Sequence, residues 1–170
     1  MTLLAHELAN QQRLFWRSRE SAFFTFLLPI ILLVLLGSVY GDEEIDGAGA
    51  ASYLVAGMIG FGVVATAYAG LAINTVIRRE SGVLKRVRGT PLPPAVYLGA
   101  VVLSTLIVIA IEVAIQVLIG RFVIDAGWPQ APGPLAVALL LGTVSFAALG
   151  LATTGLVRSA EGSSAVVNAI

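Results

Sequence analysis

Long runs of apolar residues dominate this chain, and they predict helices that cross a membrane. A helix needs about 20 mostly apolar residues to cross the hydrocarbon core, because lipid leaves each backbone donor and acceptor to be paired within the helix itself. Four runs reach that length: 21–40, 52–77, 95–120 and 135–157. A fifth apolar run occupies 163–170, and we expect it to be the start of a further span. The predicted fold is therefore all-α, a polytopic membrane helix bundle with four complete spans.

The first apolar run also has features of a cleaved signal peptide, since Ala48-Gly49-Ala50 resembles a cleavage site. However, a signal sequence has an apolar core of about 7 to 15 residues. The run 21–40 is longer than that, and the cleavage-like site lies well beyond its end. We interpret the run as an uncleaved first span.

The N-terminal segment, residues 1–20, has the pattern of an amphipathic helix. Apolar residues at helical spacing (Leu4, Leu8 and Phe15) fall on one side, and polar residues such as Glu7 and Arg13 fall on another. A helix of this kind lies in the membrane interface, where Trp16 would reach the headgroup region. We expect an N-terminal interfacial helix.

Composition supports a membrane protein and excludes several kinds of chemistry. The chain is 58% hydrophobic and only 12% charged, whereas soluble domains are about 25% charged. It contains no cysteine and one histidine, His6, so disulfides, thiol catalysis and multi-histidine metal sites are excluded. Its only lysine, Lys85, lacks the glycines of a phosphate-binding loop. We expect no enzyme activity and no metal or other cofactor in this chain.

The positions of the basic residues predict how the chain crosses the membrane. Short cytoplasmic loops retain Lys and Arg, and three segments separated by pairs of predicted spans contain almost all of them. The basic residues in these segments are Arg13, Arg17, Arg19, Arg78, Arg79, Lys85, Arg86, Arg88 and Arg158. We therefore expect a cytoplasmic N-terminus, with the acidic loop 41–51 on the outer face. Its carboxylates either collect cationic solutes or are simply solvated.

Small residues are frequent in the second and fourth spans, and we expect them to permit close helix packing. Gly57, Gly60 and Gly62 lack the order of a nucleotide-binding glycine motif, and no strand precedes them. We expect close helix packing in the fourth span as well, where Gly142 and Gly150 are among the small residues. These positions therefore predict helix contact rather than chemistry.

One ionisable residue, Glu112, lies inside a predicted span, with Gln116 one turn further on. An ionised carboxylate at mid-bilayer costs roughly 3 kcal/mol, so Glu112 should face the bundle interior, be paired or be protonated. One interpretation places Glu112 and Gln116 in a substrate pathway or at a proton site. The other is a structural hydrogen-bond cluster, completed by a hydroxyl on a neighbouring helix. Residues such as Tyr68, Thr143 or Ser145 could supply this hydroxyl.

Residues 78–94, which we call the connector, join the second and third spans and contain five of the ten basic residues. Gly82 should interrupt the preceding helix, and residues 83–88 can form a short cytosolic helix. Gly89 suits a left-handed C-terminal cap, and Pro91, Pro93 and Pro94 should prevent the helix from continuing until the third span starts.

The stretch 79–92, RESGVLKRVRGTPL, resembles the permease subunits of ABC-2 type exporters, which are membrane domains for the efflux of drugs, lipids and polysaccharides. The resemblance extends over the interfacial helix, the order of the spans and the segment 158–162. It implies a six-span domain, of which residues 1–170 would be a C-terminally truncated part. It also implies that the connector is a coupling helix that docks on an ATPase. Its coupling residues would be Glu80, Gly82, Leu84, Arg86 and Pro91.

The resemblance further implies the partners and the location. A second permease, identical or different, and a separate ABC ATPase that binds ATP and Mg²⁺ would complete a transporter in the cytoplasmic membrane of a prokaryote. Membrane lipid is the other expected partner, and no nucleic acid is expected.

Two alternatives differ from this interpretation, and the sequence argues against the second. The basic connector of a non-transporting membrane anchor or sensor would bind anionic lipid, with about 1 kcal/mol per basic residue. A secondary transporter would predict an inverted repeat with interrupted helices, which these spans do not display.

Overall fold

The computed structural model describes residues 2–41, 44–45 and 48–155. Within them the chain is almost entirely helical, as predicted. The α-helices are α1 (Leu3–Arg17), α2 (Arg19–Tyr40), α3 (Ala50–Val63), α4 (Leu71–Glu80), α5 (Val83–Arg88), α6 (Pro94–Val123) and α7 (Pro132–Thr153). A π-helical segment, Val64–Gly70, joins α3 to α4. Two short strands, β1 (Glu44–Ile45) and β2 (Ala48–Gly49), pair antiparallel in the loop before α3.

Four helices are long and apolar enough to cross a membrane, which confirms the four predicted spans. They are Arg19–Tyr40, Ala50–Glu80, Pro94–Val123 and Pro132–Thr153. The second is continuous through α3, the π segment and α4. Several of these helices extend beyond the apolar runs into charged residues, because a helix needs apolar side chains only where it meets the hydrocarbon core. The fourth spanning helix, α7, begins three residues before the expected start at 135 and ends at Thr153, and residues 156–157 of the expected span lie outside the described residues. The fifth apolar run and Arg158 lie outside the described residues.

The predicted N-terminal helix corresponds to α1, which packs along α6. Gln11 is buried, and the Gln12 amide donates to both the backbone and the side-chain oxygen of Ser104 at 3.0 Å. Trp16 stacks on Phe26 of α2 with ring centroids 5.5 Å apart. The polar face of α1 is therefore partly used inside the bundle, and not only in contact with solvent.

The small residues of the second and fourth spans have unequal roles. A side-chain carbon on Gly150 would lie 2.8 Å from the backbone oxygen of Tyr68, so α7 touches the π segment backbone to backbone. A side-chain carbon on Gly62 would overlap the carboxylate of Glu112. In contrast, nothing lies within 4 Å of such an atom on Gly57 or Gly60. Gly57 and Gly60 therefore lie on a face of α3 that no described residue covers there, and close packing at these two positions stays a prediction.

Only part of the predicted acidic loop can be described. Asp42, Glu43 and Asp46 lie outside the described residues. At the same end of the bundle, Arg121 forms an ion pair with Asp125 one turn later. The carboxylate is almost fully exposed, so this pair contributes little to stability.

Candidate functional site

The helix α4 ends within the connector, at Glu80, and Gly82 produces this break. Gly82 has a φ of +74°, in the left-handed region that favours glycine. The amides of Ser81 and Gly82 donate to the carbonyls of Ile77 and Arg79, at 2.9 and 3.2 Å, which closes the last turn of α4. The short helix α5 (Val83–Arg88) then follows, as the sequence predicted.

The C-terminal end of α5 differs from the prediction. Gly89 has a φ of −81°, so the predicted left-handed cap is wrong. The last turn closes instead through right-handed geometry, in which the Gly89 amide donates to the carbonyls of Lys85 and Arg86. Thr90 donates through both its amide and its hydroxyl to the carbonyl of Val87. The hydroxyl of Thr90 therefore supplies a hydrogen bond to a carbonyl at the end of α5, where a left-handed turn would also have supplied one. Pro94 then occupies the first turn of α6, as predicted.

The five predicted coupling residues lie along the connector and face different surroundings. Glu80, Arg86 and Pro91 are exposed, whereas Leu84 is half-buried and lines a cavity together with Val87. Leu84 and Val87 are three residues apart and so share one face of α5. The structure thus gives α5 a face towards the bundle and a charged face towards solvent.

Two arginines that sequence reasoning did not single out attach the connector to the bundle. Arg79 donates through Nη1 to the backbone oxygen of Thr154 at 2.8 Å, at the C-terminal end of α7, where carbonyls lack helical partners. Arg78 donates through Nη1 to Gln11 Oε1 of α1 at 2.6 Å, with the Tyr97 hydroxyl of α6 at 3.5 Å. No local pattern could have revealed these contacts, because they join residues far apart in the chain.

Glu112 lies in a buried polar cluster between α6 and the second span. Its side chain is 2% exposed and that of Gln116 is 1% exposed. The Gln116 amide donates to Glu112 Oε1 at 3.1 Å, and the Thr66 hydroxyl is 3.3 Å from Oε2. Gly62 leaves the space that the carboxylate occupies.

A hydroxyl from a neighbouring helix was expected beside Glu112, and it comes from a residue that was not among the examples named. Thr66, in the π segment, contributes it, whereas Ser145 is exposed. The hydroxyls of Tyr68 and Thr143 are buried without a hydrogen-bond partner among the described residues. The π-helical turn, with its wider spacing, decides which side of the second span faces Glu112, and an α-helical wheel places these residues differently.

A cavity of about 900 Å³ lies between α1, α2, α4 and α6 and extends from α5 to the π segment. It is lined mainly by apolar side chains, with Gln11, Glu20, Arg78 and Tyr97 among its polar residues. We call it the α2–α4 cavity. Within the part of the chain that the structure describes, no group of three or more His, Asp or Glu side chains could hold a metal ion.

These features define the class of protein first: four spanning helices make this a multi-pass membrane protein. The family model for the ABC-2 type transporter matches residues 3–170, and the chain belongs to that family. It is thus a permease subunit of an ABC transporter, the transport component rather than the ATPase, and this family normally pairs with an ABC ATPase. Neither a curated protein nor a solved structure matches the chain.

Proposed function

We propose that this permease exports a substrate across the cytoplasmic membrane of a prokaryote, driven by ATP that a separate ATPase subunit hydrolyses. ATP and Mg²⁺ are bound by that ATPase, and a second permease, the same chain or another, completes the transporter. The N-terminus and the connector face the cytoplasm. The concentration of basic residues in the connector supports this orientation.

The observation that carries the proposal is the attachment of the connector to three separate helices of the bundle. Arg79 binds the end of α7, and Arg78 binds α1 and approaches α6. A displacement of α5 by a docked ATPase therefore moves the ends of helices that are distant in sequence. A loop that served only to retain positive charge on one side would not need these contacts.

The two faces of α5 have different roles in the proposed coupling. Lys85 and Arg86 are exposed, and so is Glu80 just before the turn at Gly82. These charged side chains form the ATPase-docking surface. Leu84 and Val87 pack on the other side, where they transmit the displacement to the walls of the α2–α4 cavity.

A place for Glu112 and Gln116 in the substrate pathway stays a prediction. Their mutual hydrogen bond, and the contact of Glu112 with Thr66, support a structural role. Thr66 nevertheless lines the α2–α4 cavity. Only the side chain of Thr66 therefore separates Glu112 from the cavity.

The docking proposal is tested by co-purification of the ATPase with variants of the exposed face. We expect Glu80→Ala and Arg86→Glu each to reduce co-purified ATPase about tenfold or more, because a central interface residue contributes roughly 2 kcal/mol or more. The permease variants should be recovered from membranes in the same amount as the unmodified chain.

Arg121→Glu is the matched control, since Arg121 is a partly exposed basic residue at the opposite end of α6. It loses only a surface ion pair, worth about 0–1 kcal/mol, and should retain the ATPase fully. Full retention of the ATPase by both connector variants, with normal ATP hydrolysis by the complex, would show that α5 is not the docking element.

A further inference from the structure

The α2–α4 cavity exists because two helices separate towards the connector. α2 packs against α3, but its backbone hardly approaches α4, although α3 and α4 belong to one continuous span. The gap is lined on one side by Ser21, Phe24, Thr25 and Leu28, which share one face of α2. The opposite wall includes Ile73 and Ile77 of α4. The gap is therefore a mainly apolar slot between two membrane-spanning helices.

The end of the slot nearest α1 is polar and carries both signs of charge. Arg78 lines it, and so does Glu20, which is exposed in the first turn of α2. Gln11 and Tyr97 complete the polar wall around the guanidinium. The cavity thus has an apolar part and a polar end, and that end contains the guanidinium of Arg78 and the carboxylate of Glu20.

Arg78 forms no direct ion pair with a carboxylate within the described part of the chain, although Gln11 donates in turn to Glu7 Oε1 at 2.7 Å. The hydrogen-bond partners of Arg78 are a neutral amide oxygen and, at a longer distance, a phenol. A guanidinium has five N–H donors, so most remain to be used. Arginine binds phosphate through paired donors, and basic pockets between spanning helices bind lipid headgroups.

We propose that the α2–α4 cavity holds one phospholipid whose headgroup carries both a phosphate and an ammonium group. The phosphate binds Arg78, the ammonium binds Glu20, and an acyl chain lies along the apolar faces of α2 and α4. The volume of about 900 Å³ is near the upper end of the range of about 300–1,000 Å³ for ligand cavities. The lipid comes from the leaflet next to α1 and α5, which is the inner leaflet in the orientation proposed above.

Another apolar helix, from this chain or a second copy, would fill the slot less well. Its side chains would cover the apolar walls but leave the donors of Arg78 and the carboxylate of Glu20 without partners, which is unfavourable for desolvated polar groups. A phosphate with an ammonium matches both charges at once. The polar end of the cavity therefore selects a lipid over a helix.

The lipid is tested by measuring phospholipid bound to the full-length permease purified with its ATPase, by extraction and mass spectrometry. We expect one tightly retained phosphatidylethanolamine per permease. Arg78→Gln should retain it about tenfold less well, because the charged hydrogen bonds to the phosphate are lost; tenfold corresponds to about 1.4 kcal/mol. Arg78→Lys keeps the positive charge and should retain most of the lipid, which separates loss of the headgroup site from misfolding.

Arg13→Gln is the matched control, since Arg13 is exposed on α1 and does not line the cavity. It should retain the same lipid as the unmodified chain. Equal lipid content in Arg78→Gln, Arg13→Gln and the unmodified permease would overturn the proposal. So would a purified complex with no retained phospholipid, which is the result expected if a helix fills the slot.

Glu20 tests the headgroup class. In vesicles with equal amounts of phosphatidylethanolamine and phosphatidylglycerol, we expect the unmodified permease to retain the former and Glu20→Gln to lose that preference. An unchanged preference in Glu20→Gln, or retention of phosphatidylglycerol by the unmodified chain, would contradict it. Because bound lipid is measured per permease, this result is read separately from the amount of ATPase that co-purifies.

Discussion

At the residue scale, two glycines that lie two positions apart in α3 have opposite surroundings. Gly60 and Gly62 differ by about 200° around the helix axis, since successive residues are about 100° apart. Gly62 faces α6 and leaves room for the buried carboxylate of Glu112, whereas Gly60 faces open space. A small residue in a span is therefore informative only when the neighbouring helix is known.

This difference makes Gly62→Ala a test of the buried cluster. The added carbon would overlap Glu112 Oε1 and push the carboxylate away from Thr66 and Gln116. We expect the free energy of unfolding to fall by about 1–3 kcal/mol, because buried polar groups lose their partners. Thermal unfolding of the purified permease measures the change.

Gly60→Ala is the control and should leave stability unchanged or slightly raised, since alanine favours the helix. If the cluster is structural, ATP hydrolysis per folded transporter complex stays the same in Gly62→Ala. Altered hydrolysis at unchanged stability would contradict this interpretation and place Glu112 in the transport pathway.

At the element scale, the connector combines a local break with attachments at a distance. Gly82 ends α4 and lets α5 begin, while Arg78 binds the middle of α1 and Arg79 binds the end of α7. The position of α5 is therefore determined both by its own backbone and by the bundle. A rigid short element of this kind can transmit force, whereas a flexible loop of the same charge cannot.

The left-handed backbone at Gly82 predicts a specific sensitivity. Gly82→Ala should lower stability by about 1–2 kcal/mol, because a side chain at positive φ is strained. It should also reduce ATPase co-purification, since α5 is displaced when the turn relaxes. Thermal unfolding and co-purification measure the two effects.

Gly89→Ala distinguishes this cause from a general intolerance of the connector. Gly89 has an ordinary right-handed conformation and an added carbon would meet its nearest neighbour, the carbonyl of Arg86, at 3.4 Å. We expect almost no change. Equal loss in both variants would mean that backbone strain at Gly82 is not what positions α5.

At the scale of the whole molecule, the charge distribution and the helix order together define two ends of the bundle. The connector and the start of α2 lie at one end, and the turn between α6 and α7, with Trp128, lies at the other. The proposed orientation places the connector in the cytoplasm.

Because the chain contains no cysteine, a single introduced cysteine reports the orientation directly. A membrane-impermeant maleimide should label Trp128→Cys in intact cells but label Lys85→Cys only after the membrane is permeabilised. Both positions are exposed, so access depends on the side of the membrane. The reverse pattern would overturn the proposed topology and, with it, cytoplasmic docking of the ATPase.

The amino-acid sequence by itself determined the features that depend on short-range pattern. The four spans follow from apolar length, and the break at Gly82 and the start of α6 at Pro94 follow from backbone preferences. Each of these features depends on interactions among residues close together in the sequence, so a contiguous stretch was enough to predict it.

Only the tertiary structure decided which side chains meet across helices. The choice of Thr66 as the hydroxyl beside Glu112, the packing of Gly62 but not Gly60, and the contacts of Arg78 and Arg79 all depend on helix rotation and separation. The same holds for the α2–α4 cavity, which arises because α2 departs from α4. These quantities depend on contacts between residues distant in the chain, and a periodic apolar pattern leaves several rotations of each spanning helix nearly equal in energy.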